Sequence, residues 1–297
     1  MDEDLKVYLN GSIVSLAEAK LSVFDRAFQY GDGVFEGLRC YNARIFKLDA
    51  HILRLFDSAR AVHIQMPISY EEMKKAIKET VKANKFRNAH IKPIVTRGYG
   101  WKLGLDPKNT TKPNIVIIAR PVTESMYGKA SIGLRLAVVS VRKIPPSCLD
   151  PRIKSLNYLV NILARAEAQA SGADEAVMLD IHGFVSEGSG DNIFLVRRGM
   201  LWTPSVQSGL EGITRKTVIE MAKEASIPTH ETSLTLYDVY TSDEVFVTGS
   251  GAGIVPVIEV DKKPIGEGKP GRITSYLIQL YKEEVKKGEP IDYGHGS

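Results

Sequence analysis

Lys154 sits directly before Ser155-Leu156-Asn157-Tyr158-Leu159-Val160, a stretch whose pattern predicts a long helix over about 155–170. A helix N-terminus carries partial positive charge and disfavours an ammonium beside it. Only a neutral amine attacks a carbonyl, so a lysine at such a place suits imine formation. By itself the position fits a solvated surface lysine better. Three other places could hold an anion the size of a phosphate. Gly212-Ile213-Thr214 precedes a helix, which leaves the amides of Ile213 and Thr214 without intrahelical acceptors. Thr248-Gly249-Ser250-Gly251-Ala252-Gly253 ends a strand with glycines that let a ligand approach the backbone. Arg54 flanks the apolar stripe of its helix and could reach inward. Singly, each reads as a cap, a turn or a solvated charge. One amine and three anion sites together suit a phosphorylated aldehyde. Ser186-Glu187-Gly188-Ser189-Gly190-Asp191-Asn192 reads first as a glycine-rich turn, although a carboxylate at Glu187 could pair with a protonated pyridine nitrogen.

The elements that must position these residues mix both periods. Asp49 is expected to cap a helix in which Ile52, Leu55, Phe56 and Ala59 fall at i, i+3, i+4 and i+7. Ser69-Tyr70-Glu71-Glu72 has the form of a capping box, and Met73, Ala76, Ile77, Thr80 and Val81 make one helical face behind it. Strands are expected over 91–96 and 115–119, and residues 121–128 show no period and read as a connector. Beyond it the pattern predicts strands over 134–141, 176–179, 193–196 and 245–247, and helices over 215–225 and 273–285 besides the one after Lys154. Without strict βαβ alternation, this mixture predicts α+β halves. They are a small N-terminal domain over 1–120, an interdomain loop over 121–134 and a larger C-terminal domain over 135–297 that carries Lys154.

At 297 residues, with 43% hydrophobic and 25% charged side chains, the chain has the profile of a globular enzyme with room for two domains. The 39 basic and 35 acidic residues are interspersed, and no Lys/Arg block of the kind that tracks nucleic acid occurs. Cys40 and Cys148 are expected to be free thiols, which fits a reducing cytosol. The acidic start Met1-Asp2-Glu3-Asp4 lacks the form of a signal peptide. The longest apolar run, 115–119, is far short of a membrane span. A cytoplasmic protein with no membrane or nucleic-acid partner and no metal is expected.

Four blocks carry a resemblance. Tyr30-Gly31-Asp32-Gly33-Val34-Phe35-Glu36-Gly37, Lys154 with Asn157-Tyr158-Leu159, Ser186-Glu187-Gly188 with Asn192, and Gly212-Ile213-Thr214-Arg215 are similar in order and spacing to the fold-type IV pyridoxal-phosphate enzymes. The likeness spans nearly the whole chain. Phe35-Glu36-Gly37-Leu38-Arg39 and Leu103-Gly104-Leu105-Asp106-Pro107 look like prokaryotic branched-chain amino acid aminotransferases. The resemblance implies the two-domain fold of D-amino acid aminotransferase, with pyridoxal 5′-phosphate bound covalently through Lys154. Once released, that lysine would shuttle the proton between the substrate Cα and the cofactor C4′. Glu187 would keep the ring nitrogen protonated, and Tyr158 would hydrogen-bond the phenolic oxygen. Arg54, the amides of Ile213 and Thr214, and the Ser250 hydroxyl would bind the phosphate. The amides of Ser250 and Gly251 would receive the α-carboxylate, and Tyr30, Phe35, Gly37 and Tyr127 would wall the pocket for a Leu, Ile or Val side chain. A homodimer or larger assembly is implied, with a neighbour's loop closing the pocket.

Three places depart from that pattern. His90-Ile91-Lys92 stands where Tyr-x-Arg is common on a strand near the pocket. His90 and Lys92 would still project together, but a lysine offers a point charge where arginine grips a carboxylate with two bonds. Weaker use of 2-oxoglutarate is one expectation, and adequate substitution by Lys92 the other. Gly251 and Gly253 replace Ala and Glu in the common Gly-Thr-Ala-Ala-Glu segment, and Glu211 precedes Gly212-Ile213-Thr214-Arg215 where a neutral residue is usual. Alternatives within the fold are a D-amino acid or amine aminotransferase and an aminodeoxychorismate lyase. No Arg-x-His pair of the D-amino acid enzymes follows Arg97-Gly98. A binding protein that keeps the fold without catalysis is the alternative from another class.

Overall fold

The computed structural model describes residues 4–100, 102, 104–122 and 132–294. The chain divides into two compact units, one of Met1–Val122, Ile153–Asn157 and Val285–Ser297, the other of Thr123–Arg152 and Tyr158–Glu284.

The first unit opens with a hairpin, β1 (Lys6–Leu9) and β2 (Ser12–Ser15). The short helix α1 (Arg26–Tyr30) follows, capped by Asp25, whose carboxylate accepts from the Ala27 amide at 2.8 Å. It closes on Gly31 in the left-handed region, φ 69°. Then come β3 (Gly33–Phe35), β4 (Leu38–Tyr41), β5 (Arg44–Ile45), α2 (Leu48–Ala61), α3 (Tyr70–Ala83), β6 (Ala89–Thr96) and β7 (Asn114–Pro121). With Glu289–Pro290 they form a sheet in the order 289–290, β5, β4, β6, β7, β1, β2, with β3 also on β6. One face of this sheet and two helices share a core. Ile52, Leu55 and Ala59 of α2 and Met73, Ala76, Ile77 and Val81 of α3 pack with Leu38, Ile91, Val95, Ile115 and Ile117. The odd-numbered residues of β6 are therefore spent on the core, and His90, Lys92 and Ile94 take the opposite face.

The capping box at α3 forms as expected. Ser69 Oγ accepts from the Glu72 amide, and the Ser69 amide donates to the Glu72 carboxylate at 2.7 Å. Asp49 does not cap α2. The cap position is Lys47, at φ 48° and without a side-chain bond. Asp49 lies inside the first turn, too deep to cap, and accepts instead from Tyr70 Oη at 2.5 Å and Lys74 Nζ at 2.9 Å.

The second unit contains β8 (Leu134–Arg142), α4 (Leu159–Ala170), β9 (Glu175–Leu179), β10 (Val185–Glu187), β11 (Asn192–Arg197), β12 (Met200–Pro204), α5 (Ile213–Glu224), β13 (Thr229–Thr232), α6 (Leu236–Tyr240), β14 (Glu244–Gly249), β15 (Gly253–Val260), β16 (Lys263–Pro264) and α7 (Arg272–Glu284). The chain ends with β17 (Glu289–Pro290) in the first unit. The second sheet runs β10, β9, β8, β15, β14, β11, β12, β13, with β16 on β15. It mixes parallel pairs (β8 with β9 and β15, β12 with β13) and antiparallel ones. Ala164 and Ala168 let α4 sit close on Val139, Ala176 and Met178 of β8 and β9. Both units are α+β.

Two expectations need correction. The helix after Lys154 starts at Leu159 rather than 155. Residues 154–156 bridge to β3 instead: the Phe35 amide donates to Lys154 O at 3.0 Å and the Leu156 amide to Gly33 O at 2.9 Å. Tertiary pairing with β3 overrides the local helical pattern. For the same reason Lys154 belongs to the first unit rather than to a continuous domain over 135–297, and residues 285–297 return to that unit through β17 and β5. Most of the expected interdomain loop, with Tyr127, lies outside the described residues. Among the described residues no helix is long and apolar enough to cross a membrane.

Candidate active site

In the first unit, one face of α2 organises the surroundings of Lys154. His51, Arg54 and Ser58 lie one turn apart along it. Ser58 Oγ accepts from the Lys154 amide at 3.1 Å. With the two backbone bonds to β3, this fixes the lysine's Cα, and its Nζ lies 4.7 Å from the centroid of the Phe35 ring. Lys92 Nζ lies 4.7 Å from the same centroid. Partial burial first, and then the Lys154 charge, hold the Lys92 amine below its ordinary value. Since Lys154 does not stand at a helix N-terminus, the dipole argument for its neutral amine fails.

Arg54 does reach inward. Its Nε donates to Glu36 Oε1 at 2.6 Å and its Nη2 to Oε2 at 3.0 Å, while His51 Nδ1 lies 2.7 Å from Oε2. Glu36 has no exposed surface and His51 1%. Burial alone would push this carboxyl up. The charges and hydrogen bonds of Arg54 and His51 outweigh it and bring it to about 2. His90 and Lys92 share a face as expected, but they keep different company. His90 Nε2 meets Arg39 Nη1 at 3.3 Å, and burial and then the Arg39 charge push the imidazole down to about 4, so it is neutral near pH 7. Tyr30 is partly exposed, with the Arg26 guanidinium 5.1 Å from its ring centroid. Gly37 has open space where a Cβ would be. Arg26 also donates to the carbonyls of Gly104 and Leu105 at 2.9 and 3.1 Å, which anchors what is described of the 103–107 block.

In the second unit, Glu187 ends β10 and is buried. Its Oε1 accepts from Lys143 Nζ at 2.5 Å, and its Oε2 from the Leu210 amide at 2.8 Å and Asn192 Nδ2 at 3.2 Å. Asn192 Nδ2 also donates to Leu210 O at 2.9 Å, which ties the loop before α5 to β11. Gly212 is the cap of α5, and a Cβ there would overlap Asn192 Oδ1. The helix begins at Ile213 rather than at 215, so Ile213 and Thr214 lie in its first turn, and their amides have no intrahelical acceptor. The 249–252 turn joins β14 to β15, and Thr248 pairs with Asn192 across the ladder. Hence Glu187, the start of α5 and the Ser250-Gly251 turn are linked through Asn192. Tyr158 occupies the cap of α4 without a capping bond from its side chain. Glu211 is exposed, which removes the electrostatic objection to an anion nearby.

The hydroxyls of Thr214 and Thr248 are buried and have no hydrogen-bond partner among the described residues. Two orphaned donors beside a glycine-capped helix start fit a group rich in acceptor oxygens, as a phosphate is. The residues present fit pyridoxal phosphate in kind. The amine is on Lys154, a fixed carboxylate on Glu187, and anion donors lie at Arg54 and α5. Sequence reasoning missed Glu36, His51, Ser58 and Lys143 as site residues. The one available signal was Glu36, an acid between the apolar Val34-Phe35 and Leu38.

Comparison with known proteins agrees with this geometry. The family described as amino-transferase class IV matches residues 33–260. A Methanocaldococcus jannaschii protein with a provisional branched-chain-amino-acid aminotransferase name is 49% identical over 94% of this chain and 96% of its own. The branched-chain-amino-acid aminotransferase of Pseudomonas aeruginosa is 37% identical over 94% of this chain and 92% of its own. Among solved structures, the T.th. branched-chain amino acid aminotransferase with pyridoxamine 5′-phosphate superposes with a TM-score of 0.91, at 36% identity, covering 96% of this chain and 95% of that one. The chain belongs to the class IV aminotransferases.

Proposed function

We propose that this chain is a pyridoxal-phosphate-dependent aminotransferase that moves the amino group of L-leucine, L-isoleucine or L-valine to a 2-oxo acid, with 2-oxoglutarate the expected acceptor. The observation that carries this reading is the Lys154 amine, held against the Phe35 ring by a backbone fixed to β3 and α2. The names of the relatives supply the substrate class. When bound, pyridoxal phosphate supplies the electron sink for the carbanion left when the substrate Cα loses its proton.

Every other role falls to side chains and amides of the chain. Lys154 Nζ would take the proton from the substrate Cα and give it to the cofactor's C4′ carbon. Glu187, immobilised by Lys143, Asn192 and the Leu210 amide, offers a fixed negative charge to a protonated ring nitrogen. Tyr158 donates to the phenolic oxygen. Arg54, the amides of Ile213 and Thr214, and the Ser250 hydroxyl bind phosphate, and the Ser250 and Gly251 amides bind the α-carboxylate. Phe35, Tyr30, Gly37 and Tyr127 exclude water around the branched side chain. His90, neutral, and Lys92 face the acceptor's second carboxylate. The enzyme works in the cytoplasm as a homodimer or larger homo-oligomer.

The test is an absorbance spectrum of the purified chain with pyridoxal phosphate, before and after L-leucine or D-leucine is added. A visible band that L-leucine removes and D-leucine leaves is expected. A band that responds only to D-leucine would reverse the stereochemical assignment, and no cofactor band would sink the enzyme reading.

A further inference from the structure

The Phe35-Glu36-Gly37 block contains an acid that none of the roles above uses. It is the most completely buried charge of the first unit, and an unpaired carboxylate there would cost on the order of several kcal/mol. Glu36 sits between β3 and β4, where its own amide donates to Pro93 O at 2.9 Å, so the sheet fixes its backbone. From that base its two oxygens take the Nε–Nη2 edge of Arg54 in a two-point grip, at 2.6 and 3.0 Å. The second oxygen also meets His51 Nδ1 at 2.7 Å and accepts from the Gly37 amide at 3.2 Å. A guanidinium is a planar fork. Holding one edge at two points fixes the plane and therefore the direction in which the whole fork delivers its charge. Ser58, one turn further along the same helix, holds the amide of Lys154. Thus α2 carries both the phosphate-binding arginine and a brace for the amine-bearing residue, and Glu36 ties that helix to the sheet.

We infer that Glu36, seconded by His51, is a positioning residue that orients Arg54 for the cofactor's phosphate. This rests on the reading of Arg54 as a phosphate ligand, and it adds that orientation matters beyond positive charge alone. The acid is not there to increase attraction. A carboxylate beside a phosphate-binding arginine lowers the local positive charge, so its benefit must come from geometry.

The test measures dissociation constants of pyridoxal phosphate and of pyridoxal, which lacks the phosphate, on the cofactor-depleted full chain. The quantity read is the ratio between them. Glu36→Gln is expected to reduce the preference for the phosphorylated form by about tenfold, the scale of a charge-assisted bond, with pyridoxal affinity little changed. Arg54→Lys keeps the charge and loses the fork, and should reduce the ratio similarly. The double variant should lose no more than Arg54→Lys alone, because Glu36 acts through that arginine. If Glu36→Gln weakens both ligands equally, the residue is structural only and the inference is overturned. If that variant does not fold, Arg54→Lys decides, and an unchanged ratio there overturns the need for orientation. An unchanged ratio in Arg54→Ala would remove Arg54 from the phosphate site and the inference with it. Loss in Arg54→Ala with retention in both Arg54→Lys and Glu36→Gln would defeat only the inference.

Discussion

Glu36 is a carboxylate that could not stay charged at 0% exposure alone. Its partners change the sign of the effect of burial, and that has a consequence for stability. The folded-state value of about 2 lies below the ordinary 4.5, so the group's contribution is whole above pH 4.5 and is lost as the pH falls from there through about 2. His51 acts in the same direction. Burial holds it below its ordinary 6.5 against the raising pull of Glu36, so protonation on acidification is disfavoured in the folded chain. Urea-unfolding midpoints measured across pH should therefore fall steeply between pH 4.5 and the lowest accessible value. Glu36→Gln should start lower at neutral pH and show a shallower acid slope. Parallel slopes in the two proteins would mean that Glu36 is not the group responsible. Lys92 and Lys154 both place their amines 4.7 Å from the Phe35 centroid, two basic side chains against one ring.

At the scale of elements, the segment 153–157 that bridges to β3 matters most. Gly33 of β3 lies close to both the β6 backbone and the Leu156 side chain of this segment. A Cβ there would lie 2.7 Å from Val95 O and 2.7 Å from Leu156 Cδ1, and the carbonyl is backbone that cannot turn aside. Gly33→Ala is expected to destabilise by about 1–3 kcal/mol. It should also displace Leu156, and with it the register that sets Lys154. Thermal melts would show the first effect, and a slower appearance of the visible cofactor band the second. A normal melting temperature together with normal cofactor capture would show that the contact is relaxed elsewhere. The capping box at Ser69 and the face of Met73, Ala76, Ile77, Thr80 and Val81 were legible in the sequence, because caps and the 3.6 period are local signals. The start of α4 was not. Residues 155–158 have helical pattern, and only the pairing of 154–156 with β3 reveals why the helix starts at Leu159.

Across the whole molecule, the first unit is discontinuous. Its sheet is finished by β17, in which Glu289 pairs with Ile45 and Pro290 with Arg44, and the Glu289 carboxylate meets Lys78 Nζ at 2.8 Å. Ile291 joins the core and Tyr293 packs against it, with its hydroxyl donating to Phe86 O. A chain ending at Glu284 should therefore lose protection in the first unit while the second keeps its own. Hydrogen exchange should quicken at β4 and β5 and stay unchanged at β11 and β14. Equal loosening of both units would show that the C-terminal residues support the fold globally.

Legible along the chain were the α+β class, the helices whose apolar faces repeat, and the residue types of an amine, a carboxylate and anion donors. These are properties of local pattern, or of motifs that keep their spacing along one chain. Tertiary contacts decided that Lys154 bridges to β3 and that the following helix starts only at Leu159. They also decided that Arg54 is gripped by Glu36 and that Glu187 is pinned by Lys143 from 44 residues away. Each of those depends on which strand lies beside which, and on the burial that turns a carboxylate into an anchor. Neither is encoded in the period of any one segment.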